Sequence, residues 1–192
     1  MSKVKVGIIG ATGYVGVELI RLLNSHPQVE LTAIGSNSFV DKSITEVYPS
    51  VGITNDMKCI KNEDVIKECD FIFTALPHGV SEEFVLQAVK DGKKVVDLGA
   101  DFRLKDEKLF NKWYNVSFID KNLHEQAVYG LCEHYKDEIK NAQVIANPGC
   151  YVTSISLPLM PLLKAKLIKK ENIIADSKSG VTGAGRGLTL LS

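Results

Sequence analysis

Val4-Lys5-Val6-Gly7-Ile8-Ile9-Gly10-Ala11-Thr12-Gly13-Tyr14-Val15-Gly16 is the stretch on which the reading of this chain turns. Residues 3–9 alternate and then become wholly apolar, as a strand buried in a parallel sheet does. From residue 14 to 23 the pattern is helical, with Val15, Leu19, Leu22 and Leu23 on one face, and it stops before the breaker cluster Asn24-Ser25-His26-Pro27. Glycines recur between the two, at positions 7, 10, 13 and 16. Strand, glycine turn, helix is the setting that gives such a pattern meaning. Gly10 permits the tight turn, Gly13 lets a pyrophosphate approach the backbone, and Gly16 lets the helix pack on the strand. The spacing is G-x-x-G-x-x-G rather than the commoner G-x-G-x-x-G, and a glycine-rich turn that binds nothing is the competing reading.

Working outward, residues 29–34 form a second apolar strand. An NAD-preferring site carries Asp or Glu about 20 residues past the glycines to hold the ribose hydroxyls. Here the place reads Gly35-Ser36-Asn37-Ser38. Hydroxyls at Ser36 and Ser38 can donate to a 2′-phosphate and no carboxylate repels it, so NADP is favoured over NAD; a plain turn is the alternative. Residues 39–60 are weakly patterned and are expected to be a loop with short strands. Asn62-Glu63-Asp64 is expected to cap a helix to residue 68. Residues 70–76 read as a buried strand ending in Pro77-His78-Gly79, where an α/β sheet presents its ligand crevice. A helix over 81–91 stops at Gly92, and a strand over 95–98 leads into Gly99-Ala100-Asp101-Phe102-Arg103. The alternation predicts an α/β fold with a doubly wound, Rossmann-type parallel sheet. His78 is either a base or a loop residue touching cofactor or solvent. Arg103 either clamps an anionic group or pairs with Asp101 or Asp106.

Residues 106–113 read as a charged surface helix, with Trp113, Tyr114 and Phe118 as packing residues. Tyr129 to Glu133 is expected to open a short helix to residue 139. Residues 143–146 are a further apolar strand, followed by Asn147-Pro148-Gly149-Cys150-Tyr151-Val152-Thr153 and an apolar helical segment over 155–167. A cysteine at a strand-to-helix turn has free backbone amides and the helix dipole beside it, which favour a thiolate and can stabilise an oxyanion. Free cysteine is also among the most buried residue types, so nucleophile and core thiol both stand at this point. Cys132, beside Glu133, lacks that setting. Residues 173–176 read as a strand, and Ser177 to Arg186 as a second loop of small residues suited to close approach to a ligand.

The 192 residues carry 45% apolar and 24% charged residues with formal net charge zero. That balance points to an ordinary globular protein, without the basic excess of a nucleic-acid binder. The N-terminus runs into a strand without a signal-peptide core, and no apolar run is long enough for a bilayer, so a cytoplasmic location is expected. Cys59, Cys69, Cys132 and Cys150 are too scattered for a zinc knuckle or a C-x-x-C motif, so reduced thiols and no metal are expected.

With these pieces in place the chain resembles the N-acetyl-gamma-glutamyl-phosphate reductases of arginine biosynthesis. The resemblance rests on Gly10-Ala11-Thr12-Gly13-Tyr14-Val15-Gly16, Ala75-Leu76-Pro77-His78-Gly79, Asp97 to Arg103, Tyr129-Gly130-Leu131, Ala146 to Thr153 and Lys178 to Arg186, in the family's order. It implies an NADP-dependent reduction of an acyl phosphate in which Cys150 is the nucleophile. It further implies that Gly10, Thr12, Gly13, Tyr14, Val15 and Gly16 hold NADP together with Leu76, Pro77 and His78, and that Ser179 and Gly180 lie at the nicotinamide end. Arg103 and Asn147 become substrate contacts, and the assembly a homo-oligomer, dimer or tetramer.

Two departures accompany it. The family carries Arg near the Ser36–Ser38 turn, where Asn37 stands here, so a cationic partner must come from elsewhere, Lys42 being a candidate. The family's chains are also longer, and none of His26, His78, His124 or His134 matches their acid/base histidine. Residues 1–147 are therefore expected to be the NADP-binding domain and 148–192 the start of an α+β substrate domain. That division leaves apolar surface around 157–167 and 188–191 and predicts self-association, measurable by light scattering. Aspartate-semialdehyde dehydrogenase and a reductase of the one-carbon-longer aminoadipyl phosphate are the rival enzymes. A cofactor-binding module without turnover is the rival of another class.

Overall fold

In the computed structural model, residues 2–53 and 56–187 are described. Six strands, β1 (Val4–Ile9), β2 (Val29–Gly35), β3 (Phe71–Thr74), β4 (Lys94–Asp97), β5 (Val128–Tyr129) and β6 (Val144–Ala146), form one sheet in the order β2-β1-β3-β4-β6-β5. Every pairing is parallel. Among the described residues eight α-helices connect and follow them, α1 (Tyr14–Asn24), α2 (Ile44–Val47), α3 (Asn62–Glu68), α4 (Ser81–Lys90), α5 (Glu107–Tyr114), α6 (Lys121–Gln126), α7 (Cys132–Asn141) and α8 (Cys150–Lys164), with a short 3-10 turn at Val181–Ala184.

The strand segments that lie inside the sheet are largely apolar because both sheet faces are covered there. Successive side chains of a strand point to opposite faces, and the core divides accordingly. Ile8 and Ile34 join Ala11, Ile20 and Ile44 on the α1 side. Their neighbours Ile9 and Ala33 pack with Ile72, Val95 and the α3 and α4 residues Val65 and Val85 on the other. Each fully buried Ile or Val contributes about 1.5–3 kcal/mol. The chain leaves β1 by α1 to β2 on one side and later returns to β3 on the other. The reversal opens a crevice at the carboxyl ends of β1 and β3.

Several local expectations are corrected by tertiary contacts. Residues 39–60 contain the helix α2 and two isolated bridges, Gly35 to Ile60 and Ser43 to Lys58. Asn62 is not the cap of α3; Lys61 holds that place, and Asn62 is buried, with its carboxamide oxygen 3.4 Å from the amide of Gly10. Val128 and Tyr129 are an edge strand, with the following helix starting at Cys132. Residues 173–176 are not a strand: no neighbour among the described residues pairs with them, and Ile174 is 92% exposed. The helix expected over 155–167 begins at Cys150 and ends at Lys164. Trp113 does not pack in the core; it is 70% exposed with the Lys112 ammonium over its ring, whereas Tyr114 and Phe118 flank the buried Phe110. No residue of α8 is buried, and Leu167 is exposed. The apolar run expected at 188–191 lies outside the described residues. Among those described, no helix is long and apolar enough to cross a membrane.

Candidate active site

Three turns follow the carboxyl ends of β1, β3 and β6 along one edge of the sheet. The first is the glycine loop. Gly10 has φ +82°, a left-handed conformation that strains any side chain, and an added Cβ would stand 2.5 Å from the Ala75 carbonyl oxygen. A Cβ at Gly16 would stand 2.5 Å from the Gly10 carbonyl oxygen. At Gly13 the nearest atom is the Gly10 oxygen at 3.6 Å, so this position faces open space. Gly13 precedes α1 without a side-chain cap, and no acidic residue stands in the helix's first turn. The amides of Tyr14, Val15 and Gly16 open α1 and have no partner within it. This arrangement fits a pyrophosphate: an open glycine face, free amides, and no anion to repel one. Tyr14 and Val15 are exposed and Thr12 is buried. The Thr12 and Ser36 hydroxyls are bonded to each other at 2.8 Å, so Ser36 is turned inward, while Ser38 is exposed.

The second turn is Leu76 to Gly79. Leu76 packs beside Gly10, so the first two turns share a wall. Pro77 and His78 are exposed, and the His78 ring lies 5.3 Å from that of Tyr114. Asp101, fully buried, fixes the turn: its carboxylate accepts from the amides of Gly79 at 2.6 Å and Ser81 at 3.0 Å, anchoring the start of α4. Asp97 is buried at the end of β4. Burial pushes its carboxyl up from the ordinary aspartate value, opposed by the Thr74 hydroxyl that donates to it at 2.6 Å. The folded chain thus holds a proton that the unfolded chain releases. The associated stability is full below the ordinary aspartate pKa of 3.8 and is lost as pH rises through the folded value. Urea unfolding at successive pH values is therefore expected to show wild type losing more stability than Asp97→Asn above about pH 4. A difference between the two proteins that stays flat with pH would count against it.

The third turn carries Cys150. Asn147 donates its amide to the Asp97 carbonyl at 2.8 Å, which ties the turn to β4. Arg103 makes no ion pair with Asp101 or Asp106 among the described residues, contrary to one expectation. Its Nε donates to the Asn147 carbonyl at 2.7 Å and its Nη2 to the Leu98 carbonyl at 2.9 Å. Nη1 points toward Gly149, 3.3 Å from where a Cβ would sit. The Arg103 fork therefore braces the backbone just before Cys150. Cys150 is the first residue of α8 and is exposed, so the core-thiol reading fails; Cys59 and Cys69 are the buried ones. Burial raises the Cys69 thiol to about 11. Cys132 opens α7 and is exposed as well.

The second glycine loop is exposed throughout, Ser179 and Gly180 included. One of its residues reaches the first loop. Arg186 donates from Nη1 to the Thr12 carbonyl at 3.2 Å, and its guanidinium lies 4.9 Å and 5.0 Å from the ring centres of Phe39 and Tyr48. The Tyr48 hydroxyl donates to the same carbonyl at 2.9 Å. Lys42, the cation suggested by position, pairs instead with Glu46 at 3.8 Å on the surface. None of Asn62, Tyr48, Phe39 and Arg186 is singled out by the sequence as a residue at the glycine loop; Arg186 has a signal, as the cation closing the second loop. His124 is buried against Phe118, with its Nε2 3.0 Å from a Glu82 carboxylate oxygen that also accepts the amides of Ile119 and Asp120.

The model of the semialdehyde dehydrogenase NAD binding domain matches residues 5–142. The chain belongs to the semialdehyde dehydrogenase family. The semialdehyde dehydrogenase dimerisation domain matches residues 150–191, so the glycine loop lies in the first match and Cys150 opens the second. Among curated relatives, an N-acetyl-gamma-glutamyl-phosphate reductase of Clostridium beijerinckii is 55% identical over 97% of this chain and 54% of its own length. That of Pelotomaculum thermopropionicum is 49% identical over 97% and 54%. The chain spans about half the length of the curated relatives it matches. Among solved structures, aspartate semialdehyde dehydrogenase from Candida albicans, determined with NADP, superposes with TM-score 0.59 at 21% identity, over 85% of this chain and 48% of that one. Aspartate semialdehyde dehydrogenase II of Vibrio cholerae gives 0.63 at 19%, over 86% and 44%. At these identities the superpositions establish the shared fold.

Proposed function

We propose that the native protein is an NADPH-dependent N-acetyl-gamma-glutamyl-phosphate reductase, forming the semialdehyde and releasing phosphate through a Cys150 thioester. The observation that carries this reading is an exposed thiol at the start of α8, on the same sheet edge as an open glycine cradle. The relatives that match over nearly the whole chain bear that name.

In this reading the Cys150 thiolate attacks the acyl carbon, the bond to the phosphate oxygen breaks, and phosphate leaves. Amides at the start of α8, unpartnered within the helix, face the developing oxyanion. Arg103 holds the Asn147 carbonyl in place, and its remaining nitrogen, Nη1, contacts the phosphate, with Asn147 lining the substrate side. Gly10, Thr12, Gly13, Tyr14, Val15 and Gly16 cradle the dinucleotide, with Leu76, Pro77 and His78 beside it and Ser36, Ser38, Ser179 and Gly180 at its two ends. The nicotinamide, when bound, supplies the hydride that reduces the thioester. Cysteine suits both halves of the chemistry, being a strong nucleophile and then a good leaving group when the aldehyde forms. Residues 1–147 would act as the cofactor domain and 148–192 as the opening of the substrate domain, in a cytoplasmic homo-oligomer. The free state of all four cysteines fits a reducing compartment.

The test is phosphate-dependent reduction of NADP by the native protein, run from the aldehyde side. N-acetylglutamate semialdehyde is expected to be preferred over aspartate semialdehyde by about 10²-fold or more in kcat/KM, the discrimination available where buried polar groups match one substrate. Equal or reversed preference would overturn the assignment.

A further inference from the structure

We propose that Arg186, delivered from the second glycine loop, is the residue that reads the adenosine 2′-phosphate of the dinucleotide. The inference rests on the NADP reading above and adds to it the source of the specificity. The end of β2 is the place where a dinucleotide site distinguishes its two cofactors: a carboxylate there holds ribose hydroxyls, an arginine accommodates the phosphate. In this chain that place has neither. Gly35-Ser36-Asn37-Ser38 contains no charge, and the Ser36 hydroxyl is occupied by Thr12. A cation is brought here instead by Arg186, 174 positions after Thr12, to whose carbonyl it donates.

The guanidinium is held without being neutralised. Phe39, which directly follows the Ser36–Ser38 turn, and Tyr48, which reaches Thr12 through its hydroxyl, lie against it at stacking distance. Only Nη1 has a hydrogen-bond acceptor, and Arg186 enters no ion pair among the described residues. A planar, oriented fork with free donors beside an uncharged turn matches a phosphate monoester dianion. A lysine at this position would retain the charge and lose the two-ring stack and the fork.

The experiment titrates the native protein with 2′,5′-ADP and with 5′-ADP by calorimetry, with no substrate present. Arg186→Gln is expected to weaken 2′,5′-ADP about tenfold or more while 5′-ADP changes less than about twofold, and Arg186→Lys to fall between. Equal weakening of both nucleotides would show a residue that merely fastens the two loops, and no weakening of either would show a bystander; each overturns the proposal while leaving the cofactor reading intact. Failure of wild type to bind either nucleotide would sink the cofactor reading and the proposal together.

Discussion

The native protein carrying Cys150→Ala is expected to lose activity by about 10³-fold or more in kcat while binding NADPH as wild type does, because a covalent route is removed and the cradle is untouched. The geometry makes the separation sharp. Cys150 is exposed and contributes to neither core cluster, so its truncation leaves no cavity. The glycine loop and the cysteine turn follow β1 and β6, three strand positions apart on the same edge, a gap of about 14 Å. Initial-rate assays and NADPH fluorescence titration on the same preparation check both halves. Near-normal turnover by the variant would end the nucleophile assignment, and a parallel loss of NADPH binding would show that the turn is structural.

Gly16→Val is expected to unfold or severely destabilise the chain, whereas Gly13→Ala is expected to spare the fold and damage cofactor binding. A Cβ at Gly16 would stand 2.5 Å from the Gly10 carbonyl oxygen and 2.6 Å from two backbone atoms of Ala11. Backbone that is itself held between β1 and β2 cannot retreat as a flexible side chain could. Overpacking of this kind costs about 1–3 kcal/mol per insertion, and valine inserts three carbons, so a loss of about 3 kcal/mol or more is expected. At roughly 2–4 °C per kcal/mol, Tm should fall by about 10 °C. At Gly13 the added methyl meets only one atom, at 3.6 Å, and otherwise fills the open face of the loop. Its Tm should stay near wild type, with dinucleotide affinity down about tenfold, or 1.4 kcal/mol. Thermal melts and NADPH titrations of the two variants distinguish a packing glycine from a binding one. The same Tm loss in both would remove the distinction.

The elements that were legible in the sequence are those whose cause is local. β1 to β4 announced themselves because both faces of a parallel sheet are covered, which leaves short apolar runs such as Phe71-Ile72-Phe73. The Cys150 turn was legible because strand, proline-glycine turn and helix are consecutive. Residues 173–176 show where the same logic misleads: an apolar run becomes a strand only if another strand lies alongside, and among the described residues none does. β5 is the converse, two residues at the sheet edge that are strand because β6 is next to them. Asn62 has a good capping side chain, yet its carboxamide is turned toward Gly10, a contact whose existence depends on α3 lying against the end of β1.

The sequence by itself determined the doubly wound α/β class, the glycine cradle and the candidate nucleophile, since each depends on residues within a few positions of one another. Tertiary structure alone decided how the site is assembled. It took Arg103 away from the nearby aspartates and gave it the carbonyls of Leu98 and Asn147, and it carried Arg186 to Thr12. Side-chain partners of this kind are selected by proximity after the sheet has closed. Spacing along the chain holds no record of which carbonyl or ring will be within reach of a guanidinium.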